Sequence, residues 1–265
     1  MEENKTNPAL SETVLSYEGY SLVWQDDFDD EKLNRNDWNV ELHEPGWVNE
    51  ELQEYVDSEE NISLRDGNLI IKPVKSADAD GNVSYTSGRI TTEHKHDFTY
   101  GIFEAKLKVP EGMGYLPAFW LLATGEGTDC FWPVCGEIDI MEIFGSVTDK
   151  NYGTIHYGMP HEQNQGSVTL TDGDFSKEFH TFAIKWKPGK IEWYVDGRLF
   201  HQADEWHSAE ENGDAYAFPA PFDHDFYIIF NLAVGNNWAG YPDETTDFEH
   251  AEFAIDYVKV WQKEK

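Results

Sequence analysis

From residue 22 to residue 262 the chain repeats one local pattern, short runs of β-branched and aromatic residues closed by turn-forming residues. No window of eleven or more residues shows the 3.6-residue spacing of an amphipathic helix. The pattern predicts strands at 68–74, 89–92, 100–109, 118–123, 136–143 and 153–157, then at 180–186, 191–195, 198–201, 226–234 and 252–261. Two turns have a clear mechanism. Lys187-Pro188-Gly189-Lys190 separates two alternating runs, and Asp196-Gly197 suits a two-residue hairpin, so residues 179–202 read as a three-stranded meander. Many short strands without helices imply an all-β fold, a two-sheet antiparallel β-sandwich of about twelve to fourteen strands. Residues 1–20 read as a flexible, solvated lead-in, and 21–265 as one domain.

Composition narrows the partners. Aromatic residues make up 15% of the chain, which separates it from disordered acidic tails. The net charge of −32 repels phosphate backbones and anionic lipid surfaces, so neither nucleic acid nor membrane is an expected partner, and sulfated or uronic polymers are disfavoured. A neutral partner and a monomer are expected. The N-terminus lacks the basic and apolar regions of a secretory signal, which leaves a mature secreted form or a cytosolic protein. Cys130 and Cys135 can pair only if the chain folds back between them, and free or adventitiously paired thiols are favoured, which leaves the redox compartment open. Walker, GxSxG, HExxH and CxxC motifs are absent. Asp78-Ala79-Asp80-Gly81 lacks the ligand spacing of a calcium loop and reads as a turn; His94 and His96 read as exposed histidines.

The informative segment is Trp132-Pro133-Val134-Cys135-Gly136-Glu137-Ile138-Asp139-Ile140-Met141-Glu142. Glu137 and Asp139 share a strand face by parity, and Glu142 does not. A β-bulge near Ile140–Met141 returns Glu142 to that face. Ile138, Ile140, Met141 and Ile143 indicate that the opposite face is buried. Three like charges on one central strand repel, so one of them should hold a proton.

This segment resembles the Glu-x-Asp-x-x-Glu signature of glycoside hydrolase family 16. The resemblance extends in order through LVWQDDF (22–28), VNEELQEYV (48–56), YTSGRITT (85–92), YGIFEAKLKVP (100–110), PAFWLL (117–122), FNLAVGNNW (230–238) and IDYVKVWQ (255–262). It is strongest toward bacterial laminarinases, endo-acting β-1,3-glucanases. It implies a jelly-roll, concanavalin-like sandwich with a concave cleft and a neutral β-glucan as substrate. Glu137 is then the nucleophile, Glu142 the general acid/base, and Asp139 the residue that hydrogen-bonds the nucleophile and tunes the pair. Retaining hydrolysis needs two carboxyls about 5–5.5 Å apart. On a straight strand their Cα atoms stand about 13 Å apart, so both side chains must lean inward across a concave sheet.

The resemblance also implies substrate contacts from Asn49, Glu51, Arg89, Trp120, Trp132, His156 and Trp238, with His156 toward the leaving side or the acid/base. It implies no catalytic cofactor, a possible structural Ca2+ held by Asp27, Gly67 and Asp256 away from the cleft, and secretion. The chain departs from the laminarinase pattern at Asn49-Glu50-Glu51-Leu52-Gln53, where two asparagines are common, and at Glu54, where an aromatic residue is frequent. Residues 157–174 and 203–221 lack clear counterparts. These rim loops leave mixed-linkage β-1,3/1,4 cleavage as the alternative specificity. A noncatalytic glucan-binding module, which predicts loss of an acidic-strand carboxylate, is disfavoured because all three are present.

Overall fold

The computed structural model describes residues 11–127, 130–209 and 215–264, which form nineteen strands and no helix. Two eight-stranded antiparallel sheets face each other. The back sheet contains β1 (Tyr20–Asp26), β4 (Ile62–Arg65), β5 (Asn68–Ile71), β10 (Gly101–Lys108), β15 (His180–Lys187), β16 (Lys190–Val195), β17 (Arg198–Ala203) and β19 (Phe253–Lys263). The cleft sheet contains β2 (Asn39–Val40), β8 (Arg89–Thr91), β9 (Asp97–Phe98), β11 (Tyr115–Ala123), β12 (Glu137–Glu142), β13 (Lys150–Tyr157), β14 (Glu162–Thr169) and β18 (Phe226–Val234). A small third sheet joins β3 (Gln53–Tyr55), β6 (Val74–Ala77) and β7 (Val83–Ser87), and its β3–β7 pair is parallel.

Alternation decides which residues meet between the sheets. Phe119, Leu121, Ile138 and Ile155 of the cleft sheet pack against Phe103, Phe182, Ile184, Trp193 and Val260 of the back sheet in one continuous core. Their neighbours Trp120 and Asp139 point the other way, into the cleft. The Asp196-Gly197 turn has both residues at positive φ (48° and 70°), as the expected hairpin requires. The Asp78 turn is also as read, its carboxylate accepting the backbone N–H groups of Asp80 and Asn82.

The sequence reading undercounted strands, and the reason is local. β2 and β9 have two residues each and β3 three, too few for alternation to register. β14, read as an unmatched loop, is an edge strand of largely polar sequence, EQNQGSVT, held by its hydrogen bonds to β13 and by one buried side chain, Val168.

The lead-in is also corrected from Ser11 onward. Leu15 is buried against Ile102, Ala183 and Tyr194 on the outer face of the back sheet. The backbones of Ser11, Thr13 and Leu15 exchange hydrogen bonds with Gly197 and Leu199, and Tyr17 donates to Glu104 (2.5 Å). The apolar outer face of β10, β15 and β16 needs a cover, and this segment supplies it. Leu15→Ala should therefore destabilise the domain by ~2 kcal/mol or more, read as a lower thermal midpoint. An unchanged midpoint would show that the segment contributes nothing to the fold.

Candidate active site

The bulge that the sequence required is present. Across β11, Ala118 pairs with Glu142, Phe119 with Met141 and Trp120 with Asp139, so Ile140 has no partner and the register shifts there. Across β13, Asp139 faces Thr154 and Glu142 faces Tyr152, so Ile140 and Met141 are opposed by Gly153 alone, two residues to one. Ile140 and Met141 both enter the core, and Glu137, Asp139 and Glu142 all line one cleft. Where the ladder is interrupted, the Asp139 carbonyl accepts the indole N–H of Trp193 from the back sheet (2.8 Å).

The two glutamates sit in different fields. Glu137 Oε2 accepts the N–H of Trp132 (3.1 Å), and His156 Nε2 lies 3.7 Å from its other oxygen. Burial and then the Asp139 charge push Glu137 up to about 8, opposed by His156, the Trp132 N–H and Arg89. Burial and then the charges of Asp139 and Glu137 hold Glu142 well above the ordinary carboxyl range. Among the described residues the charges acting on Glu142 are all negative. Of the two, Glu142 therefore keeps its proton more readily and Glu137 carries charge more readily. His156 is raised to about 9, because its ion pair with Asp139 (3.2 Å) and the Glu137 charge outweigh its burial.

Two chains of contacts build the rest of the cleft, which has a volume of about 370 Å³. In one, Trp120 donates its N–H to Asn231 (2.7 Å), Asn231 donates to the Tyr55 hydroxyl (3.0 Å), and Tyr55 donates to Glu51 (3.4 Å). In the other, the guanidinium of Arg89 lies 4.8 Å from the Trp120 ring and 5.3 Å from the Trp47 ring, while its Nε donates to Glu41 (2.5 Å). Trp47 in turn stacks on His43, with rings 3.4 Å apart and parallel within 2°. A larger hollow of about 670 Å³ lies beside the ends of β10 and β19. Four of its charged groups are paired with one another, Lys177 with Glu111 and Asp247 with His250, and Glu252 is paired with Arg65.

Of the residues singled out by sequence, Asn49, Glu51, Arg89, Trp120, Trp132, Glu137, Asp139 and Glu142 line this cleft. Trp238 does not. It is half exposed and stands edge-on to Phe144 (4.6 Å) and near Tyr152, the residue opposite Glu142. Two expected contacts are corrected. His156 serves Glu137 and Asp139 rather than the Glu142 side, because it sits directly opposite Glu137 in the β12–β13 register. Asp139 is ion-paired to His156 and acts on the two glutamates by charge, where a hydrogen bond to Glu137 was expected.

On the back sheet, Ile255 pairs with Leu69 and Asp26 with Val258, which brings Asp27, Gly67 and Asp256 to one region. Both carboxylates already have a cation there, Asp27 from Lys259 (3.0 Å) and Asp256 from Lys106 (2.5 Å). The donor set suits a hard cation only if the lysines give way. His96 is bonded to Asp37 and packed on Trp24, so it is committed to the structure. Cys130 and Cys135 form no disulfide; burial and then a hydrogen bond with Cys130 push the Cys135 thiol up.

Glu41, His43, Trp47, Tyr55 and Asn231 were missed. Asn231 carried a signal, a lone amide within the nine buried residues of β18, where a polar group needs partners. Glu41 and His43 carried none, since a β-strand register 48 residues away gives Glu41 its partner.

The model of the family described as Glycosyl hydrolases family 16 matches residues 45–259. Glucan endo-1,3-beta-glucosidase A1 of Niallia circulans is 35% identical over 98% of this chain, which spans 39% of that protein's length. Glucan endo-1,3-beta-glucosidase of Cryptopygus antarcticus is 35% identical, with 95% of this chain and 96% of that protein covered. The catalytic domain of an endo-1,3-beta-glucanase (laminarinase) from Thermotoga petrophila RKU-1 superposes with a TM-score of 0.77 at 38% identity, covering 93% of this chain and 99% of that one.

The raised acids have a consequence for stability. In the unfolded chain Glu142 ionises near its ordinary value of 4.5, whereas the folded chain keeps the proton to higher pH. The folded state then binds more protons above that value, so stability falls as pH rises through the window. Glu142→Gln fixes the neutral form and should raise the thermal midpoint near pH 7.5, by about 2–4 °C for each kcal/mol relieved, with little change near pH 4. Equal effects at both pH values would contradict the electrostatic account.

Proposed function

The chain belongs to glycosyl hydrolases family 16, and on that footing we propose that it is a retaining endo-β-1,3-glucanase acting on laminarin-type polymers. The observation that carries the reading is the unequal setting of two glutamates on one face of a bulged strand, inside a cleft walled by indole rings. Glu137, held by the Trp132 N–H and beside His156, attacks the anomeric carbon as a carboxylate. Glu142 passes its proton to the departing glycosidic oxygen as that C–O bond breaks, which leaves a glycosyl ester on Glu137. Water then attacks the same carbon, Glu142 takes the water proton, and Glu137 leaves, so the product retains its configuration. Asp139 acts through its charge, and His156 limits how far that charge raises Glu137.

Trp120, Trp132 and Trp47 offer apolar faces to sugar C–H surfaces, and Arg89, Asn49 and Glu51 offer polar contacts to hydroxyls. A neutral glucan also suits a chain of net charge −32 better than a sulfated polymer. No helix among the described residues is long and apolar enough to cross a membrane. Secretion is part of the proposal because a glucan polymer does not pass through a bilayer. A structural calcium beside Asp27, Gly67 and Asp256 is also part of it, supported by the strand register that gathers them.

On a panel of laminarin, lichenan, barley glucan, agarose and carrageenan, laminarin should be cleaved fastest, into internal fragments whose new ends keep the β configuration by proton NMR. Glu137→Gln and Glu142→Gln should each lower kcat by ~10³-fold or more. Near-normal rates for Glu137→Gln, or inverted products, would remove the assignment. For the calcium, CaCl2 added after EDTA should raise the thermal midpoint, and Asp256→Ala should abolish that rise. A midpoint indifferent to both reagents removes calcium from the reading.

A further inference from the structure

His161 lies on the turn between β13 and β14, in a stretch that the family resemblance left without a counterpart. Its Nε2 is 2.9 Å from His156 Nδ1, and its ring lies 4.8 Å from that of Trp132. It is thus in contact with both side chains that hold Glu137, yet it is itself exposed.

Donor and acceptor counting restricts what the contact can be. A carboxylate only accepts, and Asp139 lies 3.2 Å from His156 Nε2, so that nitrogen carries the proton of the ion pair. A single proton also lies between His156 Nδ1 and His161 Nε2, because two donors or two acceptors at 2.9 Å repel. Either His156 is a cation donating to a neutral His161, or His156 is neutral and accepts from His161. The two carboxylates beside His156 favour the cation there.

We propose that His161 is a positioning residue for the hydrolysis: its Nε2 accepts the Nδ1 proton of His156 and holds that ring as a cation with its other N–H turned to Asp139 and Glu137. The inference rests on the reading of Glu137 as the nucleophile. The preference of each ring agrees with it. His156 is raised to about 9, and His161 is lowered by burial and by the His156 charge. The other charged groups around this turn are Glu162 and His207 of the loop after β17, 3.6 Å from each other.

Three variants separate the hydrogen bond from ring packing. His161→Gln keeps an acceptor without the ring, His161→Phe keeps the ring without an acceptor, and His161→Ala removes both. The phenylalanine and alanine variants should lower kcat on laminarin by ~10-fold, the size typical of a lost outer hydrogen bond, with KM almost unchanged. They should also move the alkaline limb of the kcat/KM profile down by about one pH unit, because His156 loses its proton earlier. The glutamine variant should restore both. Restoration by phenylalanine and not by glutamine, or three profiles like that of the parent, would overturn the proposal. Long-range 15N–1H spectra of the parent at pH 7 should show His156 protonated on both nitrogens and His161 neutral, and a neutral His156 also overturns it. That spectrum needs no substrate, so a failure of the glucanase reading is distinguishable from a failure of this inference.

Discussion

One extra residue in one strand organises the functional half of this protein. Without the two-for-one register at Ile140–Met141, Glu142 would point into the core and Met141 into the cleft. The bulge persists because both of its apolar residues are buried and because Trp193 reaches from the opposite sheet to satisfy the Asp139 carbonyl. Trp193 fits only because Gly153 stands beside it on β13, where an added Cβ would lie 2.5 Å from the indole ring. The back sheet thus braces the cleft strand at the point where its own ladder is interrupted.

Once three carboxylates share a face, their surroundings decide their chemistry. All three lie in a field of mutual repulsion, and only one end of the row is relieved. At that end His156 and the Trp132 N–H meet Glu137, and Arg89 contributes from β8. At the other end Glu142 is relieved by none of them. The difference between a charged glutamate and a protonated one follows from which end of the row the cation occupies. The net charge of −32 takes no part in this local division, although it disfavours anionic substrates at the cleft mouth.

Sequence reasoning reached the acids more readily than the wall around them. Alternation, together with one misplaced glutamate, was enough to call for a bulge, because strand parity is a local rule. Trp47 stood one residue before the segment compared with the family, and its place on Arg89 and His43 depends on how residues 43–55 cross the cleft sheet. The lead-in was misread for a related reason. Leu15 and Tyr17 sit in a polar stretch, and the apolar surface they cover is made by strands that begin more than eighty residues later.

The amino-acid order by itself determined the all-β class, the meander at 180–203, the need for a bulge and the three acids, since each depends on residues within a few positions of one another. Only the tertiary structure decided which acid receives His156, that Asn231 ties Trp120 to Tyr55, that Arg89 is held between two indoles, and that His161 backs His156. Those pairings are set by strand register and by loops meeting across the sheet, and hydrogen bonds and ion pairs act over a few ångströms in space whatever the separation along the chain.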